Sequence, residues 1–450
     1  MTIHLVETVE EDSHIAVARH IGGLLDEGAG GKTALADTAG SKFVAECTAL
    51  AGEGRWDELI KRMAGHLDLV FAKASEKDAE CCASVIVLLV GRVEKDSHLA
   101  ELARKLALDL SKQPEVMGEV KLNALLGLYS NVGTAPARYV VLLQALEFAK
   151  QSKSLAALLA PVVKGKADEW RRVWGLKPSM AIELHLQLAS LMKVVGDRAA
   201  GKEYLRLLGA ALALATDGAD LAKVKPFAAE AVKAFVRSPD AFQCDFWELP
   251  AVTQLGRDAA TAPLLQLLDT MLRGDLPGFK AAATPAVLEA VGVTAEAATD
   301  KTRMLALLVL GGRANGAAVP LAEVQAALDI PAEQVRAPRR TAPRRGRPPA
   351  PPAAPAAPAA PADPPARARR GRQVQPWLVR AIGAKLIDAR IDQVASRVTV
   401  SRVHHRTFTS NEWAGLGQQL GALRDALAAA GETLAAKGSR GAPRAPQAVH

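Results

Sequence analysis

From about Glu11 to Arg273 the chain repeats one pattern, a stretch of helical hydrophobic period followed by a short breaker. Asp57–Val70, Glu76–Val90, Ser97–Leu110, Val116–Tyr129, Arg138–Ala149, Ala181–Val195, Ala199–Leu214 and Leu221–Phe235 all carry apolar residues at steps of three and four, which predicts helices. In Val116–Tyr129 the residues Val116, Val120, Leu122, Leu125, Leu126 and Tyr129 form one broad stripe. Breakers such as Gln113-Pro114, Thr134-Ala135-Pro136, Lys177-Pro178, Thr216-Asp217-Gly218 and Ser238-Pro239 stop each run. Helices of roughly 12–18 residues joined by brief loops pack on their neighbours and stack, so the expected architecture is a right-handed helical-repeat solenoid. No fixed period or repeated signature marks a consensus array. Shorter helices at Leu264–Leu272 and Thr284–Val291 close this part.

The pattern then changes. Lys301–Leu310 (KTRMLALLVL) reads as a compact apolar helix, and Pro320–Leu328 as a second, begun by a proline that a first helical turn tolerates. Trp377–Ile382 reads as a third, ended near Gly383. Next come two runs of β-branched alternation, Leu386–Asp392 and Arg397–Val403. The Gln393–Ser396 segment between them is short enough for an antiparallel hairpin. Three helices and a two-stranded wing make a winged helix, with Ile391, Val398 and Val400 as candidate edge contacts. Thr409-Ser410-Asn411-Glu412 has the spacing of a capping box. The amphipathic helix it would start sets Trp413, Leu416, Leu420, Leu423, Leu427 and Leu434 along one narrow seam, suited to packing against another helix. The expected domains are therefore 1–113, 114–298, a winged helix at 299–408, an assembly helix at 409–437 and a disordered tail at 438–450.

Between the second and third of those helices lies a segment that cannot build a core. Pro338–Pro365 holds eleven prolines among Ala-Ala-Pro repeats, so a disordered insertion is expected at 337–375. It also explains the net charge of +8, because ten arginines and one acid fall between Arg336 and Arg372. Without them 46 basic and 47 acidic residues remain, so the rest of the chain is not a generally basic nucleic-acid-binding body. Arg339, Arg340, Arg344, Arg345, Arg347, Arg369, Arg370 and Arg372 are candidate nonspecific RNA contacts. The competing reading is a solvated insertion without a ligand, since the segment has no aromatic residue to stack a base. Trp377–Ala384 offers only Arg380, with Lys385 beyond it, which is too little for a groove-reading helix.

Candidates for chemistry weaken on inspection. Gly28–Thr33 imitates a phosphate loop, but Asp26 stands where the first glycine belongs and no apolar strand precedes it. His404 and His405 are adjacent, so on a strand they point to opposite faces and do not share a metal. Cys81 and Cys82 sit in an apolar helical run without a basic neighbour, and Cys47 and Cys244 are isolated, so packing thiols of a reducing compartment are expected. Trp170 and Trp174, four apart, read as core or interface anchors. No catalytic residue, cofactor or metal ligand is expected, and neither is a membrane span. The acidic N-terminus does not read as a secretory leader.

Several stretches carry a resemblance. Ser238–Asp245 (SPDAFQCD), Lys301–Leu305 (KTRML), Arg390–Gln393 (RIDQ), Val398–Ser401 (VTVS) and His405–Phe408 (HRTF), followed by Trp413, resemble the PCI-domain family. Weaker echoes lie at Ala137-Arg138-Tyr139 and Trp170–Leu176. The likeness covers about residues 115–435. It departs from the family in the long Pro/Arg insertion. Members of this family scaffold the proteasome lid, the COP9 signalosome and translation initiation factor 3, and the nearest likeness is to the last. The resemblance implies a solenoid and winged helix forming one PCI domain in a non-catalytic, cytoplasmic scaffold subunit. That subunit would support mRNA and initiator recruitment to the small ribosomal subunit through contacts with other subunits of translation initiation factor 3. A scaffold subunit of the COP9 signalosome or proteasome lid is the alternative.

Overall fold

The computed structural model describes residues 12–28, 38–93, 96–314, 317–330, 366–404 and 410–440. The chain is mostly helical and divides into two compact units, 1–227 and 228–450.

In the first unit several helices pack on the one two further along the chain. Glu76–Leu89 lies against Gly118–Asn131, Asp96–Leu110 against Ala135–Ala149, and Lys153–Val163 against Pro178–Val195, which pairs in turn with Arg198–Leu214. The alanine content permits this closeness: Ala103, Ala107, Ala137, Ala145 and Ala149 are fully buried between larger neighbours. Polar anchors fix the turns. Lys121 is buried over the Phe71 ring, and its Nζ donates to the carbonyl oxygens of Lys112 and Gln113 at 2.7 and 3.0 Å. It thereby ties down the Lys112-Gln113 turn that follows the Asp96–Leu110 helix. Tyr139 reaches the Met180 carbonyl and the Glu183 carboxylate from its own helix.

Several boundaries differ from the periodic reading. Asp57–Val70 is two helices, Trp56–Ala64 and Leu67–Lys73, because the chain breaks at Gly65-His66. The helix implied by the spacing of Trp170 and Trp174 is Ala167–Val173, and a helix at Lys153–Val163 joins the runs singled out above. Pro161 hides the latter; the proline lacks the N–H that would bond the Ala157 carbonyl, and the helix persists past it on the burial of Leu155, Leu159 and Val163.

The second unit centres on the Ala295–Ala314 helix. Around it lie Ala262–Arg273, Leu276–Ala282, Leu321–Ala327 and Ala366–Gly383, together with an antiparallel sheet. The sheet has three strands, β1 (Ala318–Pro320), β2 (Ile387–Asp392) and β3 (Arg397–Val403), in the order β1-β3-β2. The hairpin follows the alternation, and its Gln393–Ser396 turn is held by Asp392 Oδ1 accepting from the Ala395 amide. β1 is a correction. Three residues are too few to show a period of two, and Pro320 ends that strand instead of opening the helix.

A second correction concerns the end of the insertion. Residues 366–375 were expected to be disordered and the third helix to start at Trp377, yet one helix runs from Ala366 to Gly383. Arg, Ala and Gln are good helix formers, and they extend the packed turn backwards to Ala366 despite Pro376 inside it. Val374 is fully buried on it.

Small residues bring the layers together. Gly274 ends its helix at φ 69°, where an added Cβ would lie 2.8 Å from Ala306 Cα. At Gly311 an added Cβ would meet Val403 Cγ2 at 2.9 Å, so glycine there lets the central helix lie on β3.

Candidate interaction surface

The last helix, Ser410–Arg440, is built largely of alanine and leucine, with Gly415, Gly417, Gly421, Gly431 and Gly438 weakening it. Its seam faces solvent. Trp413 is 62% exposed, Leu420 57%, Leu423 56%, Leu427 64% and Leu434 70%, with Leu416 half-buried. Covering one such leucine is worth ~1.5–3 kcal/mol. Four exposed leucines on one stripe form an apolar face larger than scattered surface residues would make. Thr409, the head of the expected capping box, lies outside the described residues, as does His405.

The edge contacts expected on the sheet need correction. β3 is the central strand, and Val398 and Val400 are 1% and 6% exposed. Both point into the core, so neither offers an edge. Ile391, on the outer strand β2, stays half-exposed. The alternation identified the buried face correctly but could not say which strand is central, because that depends on β1.

Trp377 carries more than its sequence suggested. The guanidinium groups of Arg303 and Arg380 lie 5.2 and 5.7 Å from its ring centre, and Asp300 pairs with both arginines. Arg380, the one basic residue of the supposed reading helix, is therefore engaged inside the unit. Arg339, Arg340, Arg344, Arg345 and Arg347 lie outside the described residues, and Arg369, Arg370 and Arg372 belong to the Ala366–Gly383 helix.

Lys301 joins two of the stretches that carry the family resemblance. It is buried, its ammonium sits 3.9 Å from the Phe235 ring centre, and it donates to the carbonyl oxygens of Phe235 and of Ser238. Burial pushes this lysine down to about 7, against the opposing pull of Cys244 and Asp240.

The remaining candidates behave as packing groups. Burial raises Cys47 to about 11 and Cys82 and Cys244 to about 12, which leaves them protonated and inert. In the first unit Trp170 and Trp174 stack with ring centres 5.6 Å and planes 10° apart, and Tyr129 meets both edge-on. Of the phosphate-loop mimic only Gly28 is described, closing the Ser13–Gly28 helix. No cluster of metal-ligating side chains occurs among the described residues, and no helix there is long and apolar enough to cross a membrane.

One feature was missed by sequence reasoning. A cleft of about 790 Å³ opens where the Ala366–Gly383 helix turns into β2, with Lys385, Asp388, Arg402 and His404 at its rim. Lys385 adopts φ 57° in that turn. The alternation Asp388, Arg390, Asp392 was visible, but its cross-strand pairing with β3 needed the register.

Over about four-fifths of its length the chain aligns with proteins of known assignment. A subunit M of eukaryotic translation initiation factor 3 from Aspergillus clavatus is 23% identical over 381 residues, covering 82% of this chain and 72% of the relative. The subunit M of Aspergillus terreus gives the same identity over 82% and 73%, and that of Emericella nidulans 23% over 83% and 76%. The chain is similar to subunit M of eukaryotic translation initiation factor 3. No protein-family model matches it. The subunit M relatives are named as parts of a translation factor.

Proposed function

We propose that this chain is a non-catalytic scaffold subunit of translation initiation factor 3, acting in the cytoplasm through protein–protein contact. The reading rests on likeness to subunit M proteins along more than four-fifths of the chain. In it the helices of 114–298 form a right-handed solenoid, and residues 299–408 form a winged helix that completes a PCI domain. Helix, short strand, helix, helix and hairpin in that order support the second assignment. The Ser410–Arg440 helix supplies the assembly surface. Trp413, Leu416, Leu420, Leu423, Leu427 and Leu434 pack against helices of neighbouring subunits, and Ile391 marks the outer edge of the sheet. Within the complex the subunit supports mRNA and initiator recruitment to the small ribosomal subunit.

Affinity purification of the tagged chain from its own cytosol, with mass identification of what accompanies it, tests this. Other subunits of translation initiation factor 3 should come with it. Recovery with a deubiquitinase complex instead would assign the chain to a signalosome or proteasome-lid scaffold, and recovery alone would remove the scaffold role.

A further inference from the structure

The cleft at the start of β2 has an apolar floor and a charged rim. Leu386 and Ile387 are buried beneath it, and Val403 is half-exposed beside them. Above the floor stand the exposed side chains of Lys385, Arg402 and His404, against the single carboxylate of Asp388. Lys385 and Arg402 form no ion pair among the described residues, although Asp388 lies directly across the ladder from Arg402. The backbone is fixed here: His404 N donates to Leu386 O at 2.7 Å, and Leu386 N donates to Ala381 O at 3.0 Å. Cation and floor are thus presented on a rigid frame, and the volume lies in the range of small-ligand and peptide pockets.

We infer that this cleft receives an extended acidic peptide segment of a partner protein, with one apolar side chain on the Leu386–Val403 floor and carboxylates on Lys385 and Arg402. The chemistry discriminates against a nucleic-acid strand. Either anion would satisfy Lys385 and Arg402, but only a peptide brings an aliphatic side chain to the Leu386, Ile387 and Val403 floor, which a nucleic-acid strand would leave wet. Rim charges of this kind act by complementarity and steering, so binding weakens as salt rises. The site is separate from the leucine seam and does not depend on the assembly proposed above.

The test uses the full chain and fluorescence anisotropy of a labelled peptide of alternating Glu and Leu. A Lys/Leu peptide of equal length and a single-stranded oligoribonucleotide are the comparison probes. Glu/Leu peptide binding should exceed that of both and fall about tenfold in Arg402→Glu and in Lys385→Glu, a change of ~1.4 kcal/mol. Asp388→Asn should bind the acidic peptide several-fold more tightly, a gain that misfolding cannot produce. Absence of peptide binding, equal or stronger binding of the RNA, or an Asp388→Asn variant no tighter than the wild type would each overturn the inference.

Discussion

Lys301 Nζ donates to the carbonyl oxygen of Ser238 at 2.7 Å, across 63 positions of sequence. The contact ties the central helix of the second unit to the chain just beyond Arg237, where the Gly218–Arg237 helix has run out of internal partners for its carbonyls. Lys301 opens the Lys301–Leu305 stretch and Ser238 opens Ser238–Asp245, so two separate parts of the family resemblance meet in one buried contact.

Lys301→Met should therefore cost ~1–3 kcal/mol, because it leaves buried carbonyl acceptors without a donor. The pH dependence has a definite sign. The folded lysine is pushed down to about 7, whereas the unfolded one keeps its ordinary value near 10.5. Between those values the unfolded chain binds more protons, so wild-type stability rises with pH across that window. The methionine variant should lack that rise. Urea midpoints of both chains between pH 6 and pH 9 check it.

Gly311 and Gly312 are neighbours with opposite expectations. A side chain at 311 meets Val403 and Val400, neither of which has a flexible end to swing away, while nothing lies within 4 Å of an added Cβ at 312. Gly311→Leu should destabilise the second unit by ~1–3 kcal/mol through overpacking. Gly312→Ala should stabilise its helix by about 0.5–1 kcal/mol. Thermal denaturation of the two variants, read side by side, checks both expectations.

Glu203 supplies an acid-sensitive contact in the first unit. Its carboxylate accepts from Arg206 and is nearly buried, and the guanidinium holds it below the usual carboxylate range despite the cost of burial. A depressed value means that the pair's stabilisation is present at neutral pH and is lost as the pH falls through the carboxylate range. Glu203→Gln should cost ~1–3 kcal/mol at pH 7 and show a shallower loss of stability on acidification. Circular dichroism melts from pH 7 down to pH 3 measure both.

Much of the helical layout was legible because each helix carries its own apolar stripe, and the hairpin was legible because Val398 and Val400 alternate with polar residues. What escaped the sequence depends on partners distant along the chain. β1 exists because Ala318–Pro320 pairs with 397–399, and that pairing makes β3 central and buries the two valines taken for edge contacts. The helix at Lys153–Val163 was hidden by Pro161, a local signal overruled by the burial of Leu155, Leu159 and Val163. The cleft rim was unreadable for a different reason, since Lys385 and Arg402 come together only through a left-handed turn and a cross-strand register. The leucine seam needed no such information, because all its members lie on one helix.

That seam gives the most direct measurement. Leu420 and Leu427 are exposed, so Leu420→Asp with Leu427→Asp leaves the chain's own fold intact, as a circular dichroism melt at the wild-type temperature will verify. In a sucrose gradient of native cytosol the wild-type chain should sediment with the subunits of a large complex, and the double variant should remain at the top as a folded monomer. Unchanged co-sedimentation of the double variant would contradict the assembly role of the Ser410–Arg440 helix.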